Sequence, residues 1–241
     1  MNRAFIGVHI LNSSKSISFI LGAVFVLLLL PAIQASVFGA EKYDVRFLWA
    51  FGAMVGPEDN RELKSIKQDT ELKSGDQVKF LVGIEKKCFV YLFFTDEKEK
   101  ISLLFPNKFS QFDCAFFPKI YYIPEGEMWF ELDENIGQET FYLLASPKRL
   151  SSIESLYENY STASSNQKKE IAARFLKKIR EKRKEHMTFE VLAERAPNIG
   201  GRVRGLAKSP QPGPSIESIA IEICATDFYC KTYTIDHKEK K

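Results

Sequence analysis

Histidine is almost missing from this chain: there are three in 241 residues, and only His186 and His237 fall beyond the first forty positions. With so few imidazoles and no CxxC pair among four cysteines, neither a zinc site nor a Cys/His metal centre is expected. Nucleophilic catalysis requires a Ser or Cys beside a base and a group that orients the base. His186 ends a lysine-rich stretch and His237 lies four residues from the C-terminus, so both are expected as solvated surface groups. No catalytic residue, cofactor or metal is therefore assigned. Charge of one sign is also lacking. The formal net charge is +3, and basic and acidic residues alternate over most of the length, which gives no case for nucleic acid as a partner. The one glycine-rich run, Gly200-Gly201-Arg202-Val203-Arg204-Gly205, lacks the Lys-Ser/Thr ending of a phosphate loop. It reads as a linker, with anion binding through exposed backbone N–H groups as the alternative.

One long hydrophobic run is present. Arg3 and Lys15 precede apolar residues from Ile17 to Ile33, Pro31 interrupts them, and small residues follow at Ala35, Gly39 and Ala40. This is the layout of a secretory signal peptide over residues 1–40. The alternative is an inner-membrane anchor through residues 17–35, since the run falls slightly short of the roughly 20 apolar residues that span a bilayer. The expected location is the periplasm or cell envelope. Residues 41–241 are expected to form a single domain, and its roughly 200 residues suffice for a self-sufficient core. Export makes disulfides plausible, because they persist in oxidising compartments. Cys224 and Cys230 flank Ala225-Thr226-Asp227-Phe228-Tyr229, a spacing that sets them opposite each other in a hairpin, and Cys88 with Cys114 is the remaining pair. So short a loop contributes about 2 kcal/mol. Four buried thiols are the competing reading.

Beyond residue 44, apolar and polar residues alternate with the two-residue period of a strand. Val45, Phe47, Trp49 and Phe51 share one face, as do Val78, Phe80, Val82 and Ile84. Cys88 to Phe94 is apolar without alternation, as in a strand covered on both sides. Ile101–Phe105, Lys119–Ile123, Met128–Leu132 and Glu139–Ala145 follow, separated by turn residues. Ile216–Cys224 and Lys231–Ile235 return to strand periodicity near the C-terminus. The expected fold is mainly β, an antiparallel β-sandwich of about eight strands. A helical insertion at about 151–185 packs on it. Capping boxes are expected at Ser151/Glu154 and Ser164/Gln167. In the second helix Ile171, Ala172, Phe175, Leu176 and Ile179 make one apolar stripe. The basic residues of the stretch from Lys168 to Lys184 face away from that stripe. They read as a solvated outer face, with anionic headgroups or an acidic partner as the alternative. Thr188–Arg195 is compatible with helix or strand.

The segments Leu72-Lys73-Ser74-Gly75-Asp76-Gln77-Val78, Cys88-Phe89-Val90-Tyr91-Leu92-Phe93, Leu104-Phe105-Pro106-Asn107, Ile123-Pro124 and Thr140-Phe141-Tyr142-Leu143-Leu144-Ala145-Ser146 occur in that order. Together they resemble the bacterial domain of unknown function 4384, over roughly residues 72–146. The resemblance implies a module found on exported proteins and beside caspase-like peptidase or kinase domains, with no established activity. It transfers no catalytic residue: Gly75, Pro106 and Asn107 are turn chemistry. Glu131, Asp133 and Glu134 are expected on a polar outer face, with a glycosidase-type carboxylate pair as the alternative. Phe109, Phe112, Phe116 and Phe117 form a candidate binding patch if exposed, and otherwise a loop folded over the sandwich edge. The function expected is a non-enzymatic interaction module of the envelope that binds a protein or polymer. An uncharacterised hydrolase and a membrane-tethered accessory subunit are the alternatives, and a membrane partner is expected only if the N-terminal segment stays attached.

Overall fold

The alternating apolar positions of residues 45–55 and 77–84 need a common interior, and they obtain it by facing a second sheet. A computed structural model describes residues 43–186, 193–195 and 215–240. The described residues belong to one compact unit that begins at Tyr43. The first sheet has the order β10 (Ala193–Arg195), β11 (Ile221–Ala225), β1 (Val45–Val55), β4 (Gln77–Ile84), β7 (Lys119–Ile123). Two short strands join it, β2 (Glu62–Ser65) on β1 and β8 (Phe130–Glu131) on β4. The second sheet runs β3 (Thr70–Lys73), β12 (Tyr229–Lys238), β9 (Gly137–Ser146), β5 (Phe89–Thr95), β6 (Ile101–Phe105). Every pair is antiparallel except β3 with β12. The fold is thus the expected mainly β sandwich, with twelve strands among the described residues where about eight were expected. The additional ones include β2, β3 and β10, which are too short to display alternation.

Between the sheets the one-sided residues of β1 and β4 meet Val90, Leu92, Phe141, Leu143, Tyr233 and Ile235. Ring centroids of Phe51 and Phe80 lie 4.3 Å apart, and each lies 5.2 Å from Phe141. The opposite side of β5 and β9, with Tyr91, Phe93 and Leu144, is covered by helices α1 (Ser151–Thr162) and α2 (Ser165–His186). From α2 come Ala172, Phe175 and Ile179, fully buried, with Ile171 and Leu176 at the border. Burial on both faces explains why β5 shows no alternation.

Several local expectations are corrected. The capping box at Ser151 is not made. Leu150 is the N-cap residue without a side-chain bond, and Glu154 instead accepts from the Tyr91 hydroxyl at 2.6 Å and pairs with Arg149. At Ser164 only the return arm exists, the backbone N–H of Ser164 donating to Gln167 Oε1 at 3.4 Å. Ile216–Ile219 form a 3-10 turn ahead of β11, because Ile216 is drawn onto the outer face of the first sheet beside Ala50 and Leu81. No disulfide joins the cysteines. Cys224 and Cys230 do not face each other in a hairpin, because β11 pairs with β1 in one sheet while β12 pairs with β9 in the other. Cys230 packs toward the helices, and Cys224 lies beside Arg46 on the far sheet. Cys88 and Cys114 line one small recess as separate thiols, Cys88 buried with its thiol pushed up to about 11 by that burial, and Cys114 exposed. The glycine run at 200–205 and most of Thr188–Arg195 lie outside the described residues.

Candidate functional site

Residues of β8 in one sheet and of β6 in the other line a cleft of about 470 Å³. Its floor is apolar: Val78 from β4, Phe94 from β5, Leu104 from β6, Phe141 from β9 and the partly exposed Phe130 from β8. Its rim is acidic, with Asp96 and Glu97 at the tip of the β5–β6 hairpin, Glu131 at the end of β8, Asp133 just beyond it, and Glu139 on β9. Lys98 is the one basic residue in the lining, and Glu97 lies 3.6 Å from its ammonium. The alternation that faces Phe94 and Phe141 inward ends where the strands end, so aromatic rings and turn carboxylates come together at this corner.

The rim is held in place by local bonds. Asp96 accepts from the backbone N–H groups of Lys98 and Lys100, which fixes the hairpin tip. Gly137 lies so close to Glu97 that a Cβ there would fall 2.5 Å from the carboxylate, so the rim packs against bare backbone. Glu131 accepts from the Gln77 side chain at 3.0 Å. Asp133 accepts from the backbone and side chain of Asn135, and these bonds hold its carboxyl below the usual range. Burial pushes the Glu139 carboxyl above its ordinary value, opposed by attraction to His237. Of the three carboxylates read as a polar face, Glu131 and Asp133 border this cavity, and Glu134 lines a second recess.

Behind the rim is a contact that no local pattern of residues announces. His237 is fully buried on β12, not solvated. Its Nε2 lies 3.1 Å from Ser74 Oγ, and its Nδ1 lies 3.4 Å from Glu139 Oε1. The serine is 163 positions away in sequence and meets the histidine because β3 runs parallel to the end of β12. Ser74 occupies a turn in which Gly75 has φ +86°, the left-handed value that favours glycine. The order Ser–His–Glu is that of hydrolases, but two features depart from a working nucleophile. The neighbouring N–H groups are already used, Ser74 donating to Lys238 O and Gly75 to Leu132 O, so neither is available to an oxyanion. The His237 side chain has no exposed surface, so it cannot reach a leaving group without rearrangement. His186 is different: it is partly exposed and sits 2.9 Å from Asp227.

The four phenylalanines read as one patch are divided. Phe109 is buried beneath Tyr157, and Phe112 packs edge-on against Phe89 and Tyr91. Phe116 and Phe117 are exposed, at 37% and 74%. Among the described residues, no cluster of three His, Cys, Asp or Glu side chains is placed to hold a metal ion.

Every residue lining the acidic cleft comes from the stretch between β3 and the end of β9. Residues 71–149 match the family model of a domain of unknown function, DUF4384. No curated protein and no solved structure matches the chain. The matched segment thus supplies the whole cleft, together with Ser74 and Glu139. His237 and both helices lie outside it, so the Ser74–His237 contact joins the matched segment to the C-terminal strand.

Proposed function

We propose that this protein is an exported, non-enzymatic binding module of the cell envelope, and that its cleft takes a cationic, partly apolar ligand such as a basic peptide segment. One observation carries the reading: five carboxylates surround an aromatic floor in a cavity of ligand size, with a single lysine among them. Ammonium or guanidinium groups satisfy such a rim, and aromatic faces attract both cations and apolar stems. The basic start, apolar run and small residues of positions 1–40 support export. Titration calorimetry with a Lys/Leu peptide and its Glu/Leu counterpart tests the cleft. Binding of the basic peptide alone is expected, weakened as ionic strength rises from about 0.05 to about 0.5 M and the Debye length shortens severalfold. It should be lost in the double variant Glu131→Gln, Asp133→Asn. Equal binding of the acidic peptide, or full retention by the variant, refutes the reading. Intact-mass analysis of the protein recovered from cells tests export, the expected product lacking the first 35–40 residues.

The Ser74–His237–Glu139 contact favours a second reading, a serine hydrolase. That reading predicts that a fluorophosphonate labels Ser74, and that Ser74→Ala abolishes both the labelling and any ester hydrolysis. The binding reading predicts an unlabelled Ser74.

A further inference from the structure

The apolar stripe of α2 is spent on the sheet, and what the helix presents outward is strongly basic. Lys169, Arg174, Lys177, Arg180, Arg183 and Lys184 are exposed, and the row spans about 22 Å at 1.5 Å per residue. Acids neutralise it only in part, with Glu170 exposed among the cations and Glu181 and Glu185 beside them. Glu181 binds Lys178 at 3.4 Å and reaches Lys177 at 4.0 Å, while Glu185 binds Lys182 at 2.6 Å, so much of the acidic charge is committed to lysines on the flank of the helix. Near the end of the helix Arg183 shares an open recess of about 440 Å³ with Lys67, Lys231 and one acid, Asp69. Charge in this molecule is therefore segregated. A small net charge of +3 conceals an acidic cleft at one corner and a basic ridge along the helix layer.

We infer that the exposed ridge of α2 is a docking surface for an anionic membrane. Planar, repeated anionic headgroups match a face of cations about four turns long, and attraction to them requires no apolar insertion. The helix has no apolar residues left to insert, since Ile171, Phe175, Leu176 and Ile179 face the sheet. The contact is peripheral, electrostatic and sensitive to salt. The apolar run at residues 17–33 brings the chain to a bilayer during export or holds it there, and the ridge then orients the folded unit against the lipid. This inference is independent of the occupant of the acidic cleft.

The test uses the full chain and lysine acetylation read by mass spectrometry, with phosphatidylglycerol-containing vesicles against pure phosphatidylcholine vesicles. Any insertion of the apolar run occurs on both, so the difference reports on the ridge alone. Lys169, Lys177 and Lys184 should be acetylated several-fold more slowly on the anionic vesicles, and Lys64 on the opposite sheet should be unaffected. Salt at about 0.5 M should abolish the protection. The triple variant Lys177→Glu, Arg180→Glu, Lys184→Glu changes only exposed positions, and it should lose the protection of Lys169 while keeping the wild-type circular dichroism spectrum. Equal labelling on the two vesicle types overturns the inference. So does protection by a soluble polyanion without protection by vesicles, which assigns the ridge to a polymer instead.

Discussion

The two faces of the β3–β12–β9–β5–β6 sheet are held by different physics. Its inner face meets the other sheet through rings and aliphatic chains, with Phe51 within 6 Å of Phe80, Phe141 and Tyr233, and Phe80 5.2 Å from Phe141. Its outer face meets the helices through rings as well, Phe93 on Phe175 at 4.9 Å, but also through placed hydroxyls. Tyr91 donates to Glu154 and accepts from the Leu150 N–H, Tyr160 accepts from the Ile101 N–H, and Tyr157 accepts from the Leu103 N–H. Packing between the sheets is non-directional and asks chiefly for volume. Docking of α1 is directional, because each hydroxyl meets its partners in one register only. The tyrosines also cap the outward amides of β6, an edge strand that is otherwise a template for another chain. A partner that adds a strand to β6 must first displace α1.

Substitutions that remove volume should affect the inner face most. Phe80→Ala empties a fully buried site among three rings and is expected to cost about 3–5 kcal/mol, read as a fall in the urea midpoint at constant m. A loss below about 1.5 kcal/mol would mean that the cluster collapses to refill the space. On the outer face, Glu154→Ala removes the acceptor of the Tyr91 hydroxyl and the main partner of Arg149. Because Arg149 is one-third exposed and keeps Asp113, the expected loss is nearer about 2 kcal/mol. Tyr160→Phe deletes one oxygen and no volume, yet strands a buried N–H at Ile101, for about 1 kcal/mol. If it were neutral, the directional account of the outer face would fail. The same variant should then speed hydrogen exchange at Ile101 without affecting Val90 in the sandwich interior.

Non-directional contacts are also the ones a linear sequence discloses. The period-two pattern at Val45–Phe51 and Val78–Ile84 states which side chains need cover, and the structure supplies it. The stripe of α2 does the same with a helical period. Directional contacts leave no such pattern. Glu154 has the spacing of a cap residue, but a buried tyrosine on β5, 63 positions earlier, competes for its carboxylate. Cys224 and Cys230 have the spacing of a hairpin pair, but the chain changes sheets between them. In the candidate site, Glu131 and Asp133 stood out as acids in a short span, whereas their alignment with Asp96, Glu97 and Glu139 depends on where strands from both sheets end. His237 was least legible, because its burial depends on a parallel neighbour 165 residues earlier in the chain.

The smallest effect falls where the two kinds of contact meet, at Glu139, which borders the cleft and faces His237. Burial raises its carboxyl above the ordinary value of 4.5, and the histidine opposes the rise. A carboxyl with a folded pKa above its unfolded one is penalised when ionised. Below about pH 4.5 it is protonated in both states and contributes nothing, and the penalty grows as pH rises through the window up to the folded value. Glu139→Gln keeps the shape and removes the titration. Its melting temperature relative to wild type should therefore increase modestly between about pH 4 and about pH 7, and level off above the folded pKa. A relative decrease over the same interval would mean that the 3.4 Å approach to His237 outweighs burial, making the pair a net anchor for β12.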